Sequence, residues 1–117
     1  MSYPNQNPVQ KLRNILSICR KANKISLGFA PILESLQTGS VCGVLTSSDI
    51  SKKTLKEVYY ACEKKHIPVC PVPLTMTEIG MITGRKAAVA AILDQGFFER
   101  IRQLCEEHST ATASDLN

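Results

Sequence analysis

Residues 87–93 read Ala87-Ala88-Val89-Ala90-Ala91-Ile92-Leu93, an unbroken apolar run. It is far too short to span a bilayer, which takes about 20 apolar residues in a helix. It has the length of a strand, and no polar residue in it can face water, so it reads as a strand covered on both faces. Such a strand needs a layer of helices on each side of its sheet. The surrounding sequence supplies them.

Downstream, Asp94-Gln95-Gly96 turns into a last helix with Phe97, Phe98, Ile101, Leu104 and Cys105 facing inward. Upstream, Thr75-Met76-Thr77-Glu78 matches the capping-box pattern and opens a short helix that ends near Gly84. Ile67–Val72 is strand-like, with Pro68 and Pro71 arguing for an edge or a strongly bent strand. Leu55, Val58, Tyr59 and Cys62 mark an amphipathic helix of about 14 residues, with Lys52, Lys53, Lys56 and Lys64 on its polar face. Before it, Val41–Thr46 has strand length and runs into Ser47-Ser48-Asp49, where Asp49 reads as a helix cap.

Further back, Pro31 stands in the first turn of a helix that buries Ile32, Leu33 and Leu36 and is closed by Gly39. A short extended piece, Lys24–Leu27, leads into Gly28. The first helix follows Asn7-Pro8 and buries Val9, Leu12, Ile15, Leu16 and Cys19. Strands alternating with helices predict an α/β fold: a three-layer α/β/α sandwich with a four-stranded, mostly parallel or mixed sheet and about five helices. Residues 1–8 are expected as a loose N-terminus, 9–107 as one domain and 108–117 as a disordered polar tail.

At 117 residues, 44% of them hydrophobic, the chain can build one core. The five cysteines show no C-x-x-C spacing, and neither histidine pairs with them as in a metal site, so they are expected as buried or half-buried free thiols with no metal or cofactor. No leader-like segment opens the sequence, and a cytoplasmic protein without membrane contact is expected. Residues 1–65 hold ten Lys/Arg against four Asp/Glu, whereas residues 66–117 hold four against six. That asymmetry places a positive field toward one half, suited to a polyanion. There is no Gly-x-Ser-x-Gly, no phosphate-loop signature and no paired carboxylates, so no enzymatic activity is expected.

The order and spacing of these elements resemble the ribosomal-protein family of the L-seven-Ae / L-thirty-e type, with the bacterial YlxQ-like members the nearest likeness. The resemblance covers roughly residues 10–104. It is carried by Leu12–Lys24 followed by Gly28, by Val44-Leu45-Thr46 leading into Ser47-Ser48-Asp49, by His66-Ile67-Pro68-Val69, by Glu78–Gly84, and by Ala91–Phe97. It implies a four-stranded sheet between helices and an RNA site at one end that binds kink-turn RNA, a sharply bent internal loop. The matching segments here are Gly28–Glu34, Ser47–Leu55 and Pro73–Met76.

Gly28 has no side chain to hold a ribose-phosphate backbone away, and a helix start directly behind it presents unpaired N–H groups to phosphate. Lys24, Lys52 and Arg85 are expected to neutralise phosphates, Leu74 to cover extruded bases, and the Thr75 hydroxyl to touch RNA while capping its helix, with Leu55 and Met76 in the same site. Phe29 reads either as a stacking residue or as core.

The family's usual Gly-x-Asn-Glu-x-x-Lys stands here as Gly28-Phe29-Ala30-Pro31-Ile32-Leu33-Glu34. Ala30 has no group to bond a base edge. Pro31 lacks both a carboxylate and a backbone donor, and Glu34 puts a negative charge where a cation is expected. Two readings follow. One is an RNA-binding protein recognising a bent or otherwise structured RNA, ribosomal RNA included, as a monomer or beside a protein partner in a ribonucleoprotein. The other is a protein-interaction domain that kept this scaffold and lost kink-turn binding.

Overall fold

The computed structural model describes the backbone of residues 7–115 and the side chains of residues 7–110. The elements run α1 (Pro8–Lys21), β1 (Ile25–Leu27), α2 (Phe29–Thr38), β2 (Gly43–Thr46), α3 (Lys52–Lys64), β3 (Val69–Pro71), α4 (Met76–Thr83), β4 (Val89–Ile92) and α5 (Gln95–Asp115). The four strands form one mixed sheet in the order β1-β4-β2-β3. β2 and β3 are parallel, whereas β4 lies antiparallel to both β1 and β2. The α/β fold expected from the sequence is thus present, with fewer parallel pairs than simple alternation suggests.

The apolar run at 87–93 forms the inner strand β4, and all four of its strand residues are buried. Strand alternation then divides the core. Leu45, Ala90 and Ile92 face a cluster built by Leu12 and Leu16 of α1, Ile79 of α4, and Phe98, Ile101 and Leu104 of α5. Val44, Val89 and Ala91 face the other way, onto Ile32 and Leu36 of α2 and Val58 and Cys62 of α3. Each fully buried side chain of this size contributes about 1.5–3 kcal/mol, so the two clusters hold the helix layers to the sheet. β3 takes the edge, where Pro71 costs no ladder bond on its outer side.

The helix signals read from the sequence act locally as expected. The Asn7 side chain accepts the Gln10 N–H at 2.8 Å, with Pro8 in the first turn. Thr75 and Glu78 form the reciprocal capping box of α4. Gly39 closes α2 in the left-handed conformation. All five cysteines are free thiols, and burial pushes the Cys19 thiol up to about 11, so it stays neutral and structural.

One boundary differs. Residues 108–115, expected as a disordered tail, continue α5, whose turns propagate from a long amphipathic segment already anchored on α1. Residues 1–6 of the expected loose N-terminus lie outside the described residues.

Candidate nucleic-acid interface

Backbone bonds gather the three candidate segments at one end of the sheet. The Gly28 N–H donates to the Val89 carbonyl at 3.0 Å, and the Ser47 N–H donates to Ala88 at 2.9 Å. The Ser48 N–H in turn donates to the Leu74 carbonyl at 2.8 Å. Gly28, the β2–α3 turn and the approach to α4 therefore stand side by side. This placement follows from β4 running antiparallel to both of its neighbours, so that its start meets their ends.

Asp49 locks the arrangement. Ser51, not Asp49, caps α3 by accepting the Thr54 N–H at 3.2 Å. The Asp49 carboxylate instead reaches 27 positions along the chain and accepts the Met76 N–H at 3.0 Å, adding a second acceptor at the start of α4. That backbone bond holds the Asp49 carboxyl below its usual range. Glu78 is also lowered, first by the Thr75 N–H it accepts and further by the neighbouring Arg13 guanidinium, with which it is paired.

The start of α2 is built otherwise. Gly28 stands at φ +97° and ψ 151°, a backbone region open essentially to glycine, and gives no side-chain cap. No residue of the first turn is acidic. The N–H groups of Phe29 and Ala30 have no acceptor among the described residues, and Pro31 has no N–H to offer. Above this peptide edge lies a guanidinium: a Cβ built on Gly28 would fall 3.1 Å from a terminal nitrogen of Arg85. Arg85 is exposed and has no carboxylate at ion-pair distance among the described residues. Two unspent donors and an unneutralised cation thus converge on a half-buried glycine, an arrangement that attracts an anion.

The remaining candidate residues divide. Ala30 and Glu34 are exposed on α2, and Pro31 is half-buried in its first turn. Lys52 is exposed at the start of α3, with Leu55 half-buried one turn on. Thr75 and Met76 are half-buried at the start of α4. Leu74, expected to cover extruded bases, is wholly buried in the α1/α4/α5 cluster and has no face to offer a base. Lys24 is exposed but precedes β1, whereas Gly28 follows it, so about 10–13 Å of strand separates them. Its backbone carbonyl accepts the Leu93 N–H at the opposite end of the sheet. Phe29 is half-buried against the α2/α3 cluster and lines an open groove of about 460 Å³ with Leu33, Tyr60 and Lys64. It is core on one face and open on the other. The Asp49–Met76 bond and the seat of Arg85 on Gly28 escape sequence reading, because both are contacts between segments remote in the chain.

A sheet with helices on both faces, and with strand-to-helix turns clustered at one end, defines an α/β/α domain. The sequence pattern of the ribosomal protein L7Ae/L30e/S12e/Gadd45 family matches residues 10–109, and the chain belongs to that family. Among solved structures it is similar to a protein of unknown function from Bacillus halodurans, with 26% identity over 83% of this chain and 98% of that one and a TM-score of 0.76. It is also similar to the Giardia lamblia 15.5kD RNA binding protein, with 16% identity over 93% of this chain and 94% of that one and a TM-score of 0.66, a likeness of fold. No curated protein matches the sequence significantly. No described helix is long and apolar enough to cross a membrane.

Proposed function

We propose that this protein binds a bent or otherwise structured RNA, as a ribosomal-protein-like component of a ribonucleoprotein, and that it does so by shape and phosphate contacts and not by catalysis. The observation that carries this reading is the open start of α2, where the Phe29 and Ala30 N–H groups and the Arg85 guanidinium converge on Gly28. Lys52 and Lys86 add cations from the neighbouring turns. Family membership and the RNA-binding neighbour of the same fold support it. The likeness of Ala91–Phe97 to the bacterial YlxQ-like branch supports placing the chain in that branch.

Ala30, Pro31 and Glu34 remove the groups that would read guanine edges, so discrimination of a kink-turn by base contacts is expected to be weak. Each such contact contributes about 1–3 kcal/mol where it is made. Titration of a kink-turn duplex, an unbent duplex and a single strand across several salt concentrations tests the reading. With about three or four phosphate contacts, a log–log salt slope of roughly −2 to −4 is expected, with preference for the bent duplex. Absence of binding to all three RNAs at low salt would overturn the reading. A second reading draws on the groove between α2 and α3, where Leu33 and Tyr60 are exposed apolar residues. In that case the scaffold serves a protein partner and RNA titrations stay flat.

A further inference from the structure

A second arginine is seated on a second glycine. The chain leaves α4 through Gly84 at φ +86°. A Cβ there would lie 2.8 Å and 3.3 Å from the two terminal nitrogens of Arg20 and 3.1 Å from its Cζ. The Arg20 guanidinium therefore rests against bare backbone, in a space that a residue with a side chain would take. The very next residue is Arg85, whose guanidinium rests in the same manner at Gly28. Two arginines, one from the last turn of α1 and one from the α4–β4 turn, thus lie on two glycine backbones in succession.

Their charges are left over. Arg13 is paired with Glu78, and Arg102 is held by Glu99 and Glu106. Arg20 and Arg85 have no carboxylate at ion-pair distance among the described residues, and neither do Lys21 and Lys24 at and beyond the end of α1; Lys86, also without an ion pair, acts on the Asp49 carboxylate from further off. All five are exposed. Like charges gathered this way repel one another, and a polyanion lying across them relieves the repulsion and is gripped by planar, forked donors. An isolated cation near the end of α4 would be explained by the helix dipole alone. Two unpaired arginines on two glycine seats, with Lys21 and Lys24 beyond the second, are not.

We infer that Arg20 and Arg85 form a phosphate track, which carries an RNA strand from the start of α2 past Gly84 to the end of α1, where Lys21 and Lys24 continue it. The track rests on the RNA-binding reading and extends it to a face that the α2 start does not reach. It also gives Lys24 a role, although that residue stands away from Gly28.

The test compares wild type, Arg20→Gln, Arg20→Lys and Arg100→Gln on the kink-turn duplex and the unbent duplex over a series of salt concentrations. Arg100 is exposed, donates a hydrogen bond to the Gln103 side chain, has no ion pair among the described residues, and serves as the charge-matched control. Arg20→Gln is expected to weaken binding and to make the salt slope shallower by about one, Arg20→Lys to restore most of the slope, and Arg100→Gln to change neither. A purely structural Arg20 would lower the melting temperature of Arg20→Gln while leaving the slope of its folded fraction at the wild-type value. That result overturns the track and spares the α2 site. Wild type without RNA binding would take both away.

Discussion

Helices α2 and α4 begin at the same end of the sheet, and they begin in opposite ways. The start of α4 is saturated: Thr75 accepts from Glu78, Glu78 reaches back to Thr75, and Asp49 crosses over to accept from Met76. Two carboxylates stand at its positive end. The start of α2 has a glycine for a cap, no acid in its first turn, two unspent donors and an arginine lying over it. Helix ends inside a protein are ordinarily satisfied from within, so on the proposed RNA-binding reading the contrast marks where polar groups are left to an outside partner. On that reading the partner is anionic, favoured at the start of α2 and disfavoured by the two carboxylates at the start of α4.

The comparison is broken most forcefully by refilling α2. Combining Ala30→Asn, Pro31→Glu and Glu34→Lys restores base-reading groups and exchanges a repelling charge for an attracting one. At about 1–3 kcal/mol per recovered contact, affinity for a kink-turn duplex is expected to rise by at least about 100-fold, measured by calorimetric titration. Glu34→Lys alone is expected to strengthen binding to a smaller extent. Unchanged affinity in both would mean that α2 does not face RNA.

Gly28→Ala comes next. A side chain at φ +97° is strained by about 1–3 kcal/mol, and the new Cβ meets the Arg85 guanidinium. A lower denaturation midpoint and weaker RNA binding are expected together; an unstrained, fully active variant would show that the glycine conformation is incidental. At the saturated end, Thr75→Ala is expected to cost about 1 kcal/mol of stability, read from urea unfolding, because the Glu78 N–H loses its acceptor.

The smallest effect is an acid sensitivity. Asp49 and Glu78 are both held below their usual ranges in the folded chain, each chiefly by a backbone N–H. Their contribution is complete above the unfolded values of about 3.9 and 4.3, and it is lost as pH falls through the lower folded values. The melting temperature is therefore expected to drop below about pH 4, and Asp49→Asn is expected to flatten that drop. Equal acid profiles for the two proteins would remove Asp49 from the account.

Local chemistry was legible in the sequence wherever one segment decides the outcome. The apolar run at 87–93 announced an inner strand, Pro68 and Pro71 an edge, and Thr75-to-Glu78 a capped helix start, and each stands so in the structure. Contacts between distant segments were not legible. Leu74 sits among turn residues in the sequence, yet it fills the core, because the Ser48–Leu74 backbone bond turns that loop inward. Lys24 is close to Gly28 in number but is separated from it by the length of β1. Asp49 precedes α3 and serves α4. The seat of Arg20 leaves no mark in the sequence, since only the folded chain brings Gly84 beneath it.

The most direct measurement is the residue-by-residue amide shift map of the isotope-labelled protein as structured RNA is added. The account predicts that the Phe29 and Ala30 amides and the Arg85 side chain move first and furthest, while the Met76 amide, already given to Asp49, moves little. Large shifts confined to Leu33, Tyr60 and their neighbours in the α2/α3 groove, with Phe29 and Ala30 still, would contradict it.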